Sequence, residues 1–492
     1  MPKTHIRKDI EELSPEERDL VVRAFHHIKN LEPEDPNSFF TIAGYHGLPE
    51  PIFCRHASVL FPTWHRAYLL RLENALRTAP GCANLALPYW NETSQRTLEQ
   101  GLPKIFTDES YDFVDGTSIP NPLFSYKMQQ AVDGGSKGKD NAKPVGYNTV
   151  RYPYSGLVSA DFAEKTKIHN ETVDSLGPGK PTALLNENVT RWLTFQRFEN
   201  HKGEIIYAGE ADNFKQCLDA PNYTVFSNVK SAEIYNNLNK GSPHTPTVVS
   251  LEHPHNSMHL AIGGFEVPSK EDTKNVFPFA NGDMGENDTA AFDPVFYFHH
   301  CFIDYMFWKW QDIHNKTTEL DIIPKYISFE KFNLDTALEP FKITDPTNGK
   351  ERFITSKDVV DTTKLGYEYP RPRGHGLVRT PAPVDAPKVA VTGINRSKIR
   401  GSFIVSTWAK GQNGEPDRLI DTKAVLSRWA VGDCDNCQNY LNIQSHTQLN
   451  DYTHEDAQDA EFYALIHTRE KPEGFDTVAG MPVEVELNAV RN

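Results

Sequence analysis

The chain has 492 residues, with 66 acidic against 51 basic side chains and a formal charge of -15. Such a polyanion repels nucleic-acid phosphates and anionic membrane surfaces, so neither is an expected partner. The length exceeds what one hydrophobic core usually organises, and 28 Phe, 19 Tyr and 7 Trp supply aromatic material for a large one; a soluble protein with one large and one smaller domain is expected. The opening MPKTHIRKDIEELSPEERDL lacks the apolar core of a signal peptide, and no run approaches the roughly eighteen apolar residues of a membrane span. This points to a cytoplasmic protein, or one exported by an unusual route. The sequons at Asn91 and Asn188 then read as chance matches, and six Cys are too few for a disulfide framework.

The first element is a helix opened by Ser14 as N-cap, with Pro15 at its first position and Glu17 three residues after the cap, followed by Leu20, Val21, Ala24, Phe25 and Ile28 at helical spacing. Of His26 and His27, one is expected in the core and one in water. A second helix is predicted from Trp64 through Arg77, with Tyr68, Leu69, Leu72 and Leu76 on its apolar face and His65 in its first turn. Residues 91–247 are rich in Pro, Gly, Asn and Tyr and predict long loops and short elements. Two more helices follow: His255 to Leu260, ended by Gly263-Gly264, and an aromatic one from Pro294 through Trp310.

Between Pro370 and Pro387 stand five prolines and two glycines, the composition of an extended linker. Beyond it the stretches 388–392, 402–406, 461–466 and 482–487 are short and β-prone. The division expected is a catalytic domain over 1–370, a linker over 371–387 and a C-terminal β-sandwich over 388–492.

Several of the 19 histidines fall in two clusters. In His255-Asn-Ser-Met-His259 a spacing of four puts both rings on one helix face, about 5 to 6 Å apart at Cβ, where they can share an ion. No Glu follows His255, so the zinc-protease pattern is not met. A third ligand comes from the aromatic helix. Adjacent residues point about 100° apart, so one of His299 and His300 joins the pair. His300 is preferred because Asp304, four residues on, could fix the tautomer of its ring; His299 then stands in the pocket wall. The other cluster is His46, His56 and His65. Two all-histidine triads suit copper better than magnesium or calcium.

Cys54-x-His56 with His65 nine residues on, His255-x-x-x-His259, and Asp293-Pro-x-Phe-x-x-His-His300-x-x-Ile-Asp304 resemble the motifs of type-3 copper proteins, above all fungal tyrosinases with a C-terminal extension. Leu365-Gly-Tyr367-Glu-Tyr369-Pro is similar to the tyrosine motif that closes the catalytic domain in that family. The resemblance implies a mainly α fold with a central four-helix bundle and long loops, holding one copper on His46, His56 and His65 and a second on His255, His259 and His300. It also implies a thioether between Cys54 and His56, a free buried thiol being the alternative. The activity it implies is oxidation of phenols to o-quinones with O2 as co-substrate, including hydroxylation of monophenols.

For that hydroxylation Glu252 and Asn256, flanking His255, could share a water that accepts the phenol proton; otherwise Glu252 is a helix N-terminal acid. His253 reads as a pocket or surface residue. A strict catechol oxidase, an o-aminophenol oxidase and a haemocyanin-like oxygen carrier are the competing readings, and a homo-oligomer is compatible with all of them. In similar fungal enzymes the C-terminal domain covers the copper site, so residues near 425–429 are expected to insert an apolar side chain into the substrate pocket. Cys434-Asp-Asn-Cys437 has the spacing of a Cu(I) site that could hand copper to the centre beside Cys54; a redox disulfide and an incidental pair are the alternatives.

Overall fold

A computed structural model of the chain describes residues 4–134, 140–199, 205–242, 244–269, 277–327, 331–345, 347–371, 385–412, 414–429, 431–433, 435–476 and 481–489. The expected linker falls mostly outside these, as does Cys434. Helix α1 (Pro15–Lys29) starts as predicted: Ser14 Oγ accepts from Glu17 N while the Glu17 carboxylate accepts from Ser14 N. Its core face is Val21, Val22, Ala24, Phe25 and Ile28, whereas Leu20 is exposed, a turn away from that stripe. Neither His26, exposed, nor His27, half-buried, joins the core.

The site is framed by α2 (Phe39–Gly44), α3 (Phe61–Leu76), α4 (Val229–Leu238), α5 (Glu252–Gly263) and α6 (Val295–Ile313). Helix α6 is apolar almost all round and is correspondingly buried from Val295 to Asp304. Phe25 of α1 stacks on Phe298 of α6 at 5.4 Å, and α3 lies against both helices. Within the stretch expected to hold only short elements, Ala163–Asp174 and Lys180–Thr194 are helices of 12 and 15 residues. The second buries Leu185, Val189, Trp192 and Leu193 at a 3.6-residue period masked by polar neighbours. It also buries the sequon residue Asn188, whose amide donates to Ala261 O and Phe265 O.

At the other end of the catalytic part, β1 (His5–Ile6) pairs in parallel with β2 (Tyr367–Glu368), tying the N-terminal segment to the tyrosine motif. From residue 388 on lie β3 (Lys388–Asn395), β4 (Phe403–Ala409), β5 (Arg418–Val425), β6 (Asn442–Gln448), β7 (Phe462–His467) and β8 (Glu484–Asn488). They form two antiparallel three-stranded sheets, β5-β4-β7 and β6-β3-β8. Val391, Phe403, Val405, Val425 and Ile466 fill the space between the sheets together with Val229 from α4. Alternate residues Ile404 and Ala424 turn the other way and join the core of the helical part. All seven positions of β4 are therefore buried, and β5 rests on α5, so the sandwich sits directly over the histidine helix. Strands β5 and β6 had no clear apolar alternation: β5 reads Arg-Leu-Ile-Asp-Thr-Lys-Ala-Val, with Lys423 buried only because it is paired.

Candidate metal centre

Six imidazoles meet where α2, α3, α5 and α6 converge. His46 follows α2, His56 stands in the loop before α3, His65 lies in the first turns of α3, His255 and His259 on α5 and His300 on α6. The rings of His46 and His56 are 5.5 Å apart, His56 and His65 5.3 Å, and His65 and His300 4.4 Å. On the other side His255 and His259 are 4.6 Å apart, and the Nε2 atoms of both lie 3.3 Å from His300 Nε2.

Hydrogen bonds fix which nitrogen is bare. His65 Nδ1 donates to Phe61 O at 2.8 Å, His259 Nδ1 to Met284 O at 2.7 Å and His255 Nδ1 to Asn256 Oδ1 at 2.9 Å. This leaves the Nε2 atoms of His255 and His259 as lone pairs, aimed with His300 Nε2 at one point. Two nitrogens each about 2.0–2.1 Å from one ion, at a near-tetrahedral angle, stand about 3.3 Å apart. Both nitrogens of His46, Nε2 of His56 and Nε2 of His65 are buried without a hydrogen-bond partner among the described residues. Burial first, and the neighbouring rings next, hold His46, His56, His255 and His300 well below the usual histidine range; burial likewise lowers His259, and His65 is brought to about 3. Neutral, unpartnered imidazoles in a dry cage are a costly arrangement for a protein alone and the donor set of a soft or borderline cation.

The packing that aims His259 is tight. A Cβ on Gly263 would lie 2.0 Å from Gly285 N, so only glycine lets the loop carrying the Met284 carbonyl come this close to α5. Cys54, a buried thiol, has its sulfur within 4.8 Å of ring nitrogens of His46 and His56. Burial pushes the Cys54 thiol up, while Arg428 of the C-terminal part, which hydrogen-bonds it, pulls the other way.

The expected role of Asp304 is corrected. It does not hold His300, whose Nδ1 has no hydrogen-bond partner among the described residues. Asp304 instead accepts from Arg66 Nε at 2.6 Å, Arg7 Nη1 at 3.2 Å and the hydroxyls of Tyr367 and Tyr369, both at 2.7 Å. Burial alone would raise this carboxyl; Arg66 and Arg7 overcome that and keep it low. It fastens the N-terminal strand and the tyrosine motif to α3 and α6. A different residue, Glu92, was not singled out from the sequence. Its Oε1 lies 2.5 Å from Nδ1 of His299, whose ring stands 5.2 Å from His255 and 4.9 Å from His259. Burial lifts Glu92 well above the carboxylate range and lowers His299 to about 3, so they form a neutral pair, with a ring nitrogen of His299 within 4.8 Å of those of His255, His259 and His300.

Glu252 opens α5, and its two oxygens accept from Ala57 N at 2.8 Å and Val229 N at 3.1 Å, so it braces the His56 loop and caps α4. Burial, only partly offset by these bonds, raises it to about 7. Glu252, Asn256 and His56 face a cavity of about 20 Å³, the space of one water, closed by Val425 and Leu426. His253 is half-buried, beside Glu210 rather than with the cluster. Cys437, also buried, is disulfide-bonded.

The common central domain of tyrosinase matches residues 36–313. The chain belongs to the tyrosinase family. A tyrosinase of Aspergillus oryzae is 38% identical over 95% of this chain and 94% of its own length, and tyrosinase HcTyr2 of a Hahella species 36% identical over 94% and 89%. The solved structure of tyrosinase from Burkholderia thailandensis at low pH superposes with a TM-score of 0.82 at 36% identity, covering 98% of this chain and all of that one. An Aspergillus oryzae pro-tyrosinase shares the fold, at a TM-score of 0.69 and 20% identity. Members of this family are dinuclear copper proteins, and the six imidazoles fit that cofactor in number and in burial or low pKa, three of them with the tautomer fixed by a hydrogen bond.

Proposed function

We propose that the protein is a latent tyrosinase, oxidising small phenols to o-quinones with O2, with one copper on His46, His56 and His65 and the other on His255, His259 and His300. The convergence of bare Nε2 atoms from His255, His259 and His300 carries the reading. Copper bound there supplies, with O2, the oxidising equivalents. The chain supplies the rest. Phe61 O, Met284 O and Asn256 hold ring orientation, and the buried aromatic wall excludes water. Hydroxylating a monophenol requires its phenolate. Glu252, raised to about 7 by burial, is placed with Asn256 on the one-water cavity beside His56, where that water can relay the phenol proton.

Latency is supported by Val425 and Leu426, which line that same cavity from the C-terminal side. Arg396 Nη2 donates to Leu426 O at 2.7 Å, and Arg428 pairs with Asp288, fixing the covering segment. Copper content and oxygen uptake on L-tyrosine and L-DOPA test the reading. About two coppers per chain and uptake on both substrates after release of the C-terminal part are expected, and His259→Ala should abolish uptake with loss of about one copper. Full activity of purified His259→Ala would remove the ligand assignment.

A further inference from the structure

We infer that the C-terminal part carries a second ligand site, for a small aromatic carboxylate, in a pocket that none of the site histidines lines. Between the loops 398–402 and 468–475 lies a pocket of about 420 Å³, the size range of small-molecule sites. Lys398, Arg400, Arg469 and Lys471 line it against a single acid, Glu470, and Trp429 and Phe475 supply aromatic surface. Arg400 is paired with Asp140 and Arg469 with Glu286, so it is Lys398 and Lys471 that leave the cavity, in a chain of formal charge -15, with an excess of positive charge over Glu470 that attracts anions.

Arg469 decides the ligand's chemistry. Its side chain is nine-tenths buried, and its Nη1 edge pairs with Glu286 of the catalytic part. Its Nε and Nη2 are buried with no hydrogen-bond partner among the described residues. These two atoms form the side-on edge of a guanidinium, whose parallel donors match the two oxygens of a carboxylate. Leaving two charged donors unsatisfied is costly, and an anion that the Arg469 side chain turns to meet from the wall of the pocket would remove that cost. The aromatic half of the site is Trp429. Arg400 Cζ lies 4.6 Å and Arg469 Cζ 5.8 Å from its ring, and its Nε1 donates to Glu286 at 3.1 Å, so the indole is oriented before any ligand arrives. A planar ring stacked beside Trp429 with its carboxylate on Arg469 uses both features; inorganic phosphate uses only the charge.

The test is titration of the copper-loaded full chain with 2-naphthoate, which has no phenol to oxidise, by calorimetry. One equivalent should bind. Arg469→Gln and Arg469→Lys should each weaken binding at least tenfold, because lysine keeps the charge and loses the paired donors. The neutral 2-naphthamide should not bind, and phosphate should bind at least tenfold more weakly than naphthoate. Should the Arg469 variants fail to fold for want of the Glu286 pair, the surface double variant Lys398→Gln/Lys471→Gln should still lower naphthoate affinity several-fold. Unchanged affinity in the Arg469 variants, or in the lysine double variant, overturns the site. So does binding that survives in Arg469→Gln and is lost in His259→Ala, which places naphthoate on the copper centre. Phosphate binding as tightly as naphthoate, with Trp429→Leu silent, overturns the aromatic specificity.

Discussion

At the scale of single residues, the side chains that look interchangeable in sequence separate once their partners are known. Asp304 stands four residues after His300, the spacing at which a carboxylate could serve a ligand ring, yet four donors from Arg7, Arg66, Tyr367 and Tyr369 consume it. Spacing along one helix could not reveal this, because the two arginines come from 297 and 238 residues away and the two tyrosines from 63 and 65. Asp304→Asn should therefore destabilise the fold by about 3–5 kcal/mol, as expected when one partner of a buried ion cluster is removed. Thermal unfolding should shift well down while copper, once loaded, is retained; the reverse pattern would return Asp304 to the copper site. Glu252 gives a second, pH-dependent prediction. Its carboxyl accepts protons only when ionised, and burial holds it at about 7, so the ratio of L-tyrosine to L-DOPA oxidation should rise with pH up to about 7 and level off above. In Glu252→Gln the ratio should be at least tenfold lower and flat with pH. A wild-type ratio that does not change between pH 5.5 and 8 would leave Glu252 as the brace for Ala57 and Val229 only.

At the scale of elements, the histidine helices were legible because their signals are local: a spacing of four in α5, a continuous aromatic run in α6, a capping box in α1. Strands β5 and β6 were not, because what buries them is a partner surface distant in sequence. The clearest instance is Glu233 of α4, which accepts from Lys423 Nζ of β5, the Tyr440 hydroxyl and Gln444 N of β6. Charged residues in a strand normally argue for exposure; here one buried carboxylate on the catalytic part makes Lys423 an inward residue. Glu233→Ala should strand the Lys423 ammonium and loosen β5 from α5. Hydrogen exchange in 418–425 and 403–409 should quicken by an order of magnitude or more, with 295–313 unchanged, and the uncleaved enzyme should gain L-DOPA activity. Exchange that stays as slow as in wild type would show that the sheet is held by apolar packing on Val229, Ile404 and Leu426 alone.

At the scale of the whole molecule, the question is what a cut between Pro370 and Pro387 would release. Contacts other than chain connectivity hold the sandwich to the helical part. Lys388 Nζ donates to the carbonyls of Asn239, Ser242 and Thr245, Arg428 pairs with Asp288, Arg469 with Glu286 and Lys423 with Glu233, and Ile404, Ala424 and Leu426 lie in the core of the helical part. Severing the chain removes none of these contacts. It turns an intramolecular contact, with an effective concentration of about millimolar, into a bimolecular one governed by the actual concentration. The nicked protein should therefore remain a complex at micromolar concentration, with activity on bulky phenols only partly raised, and should reach full activity on dilution to nanomolar. Salt should assist only modestly, because the buried pairs are poorly screened. Gel filtration of the nicked protein at two concentrations, with oxygen uptake on each fraction, tests this. Full activation at micromolar concentration immediately on cutting would show that tension through the linker, rather than the seam, holds Leu426 over the cavity; an intact chain as active as the cut one would remove latency altogether.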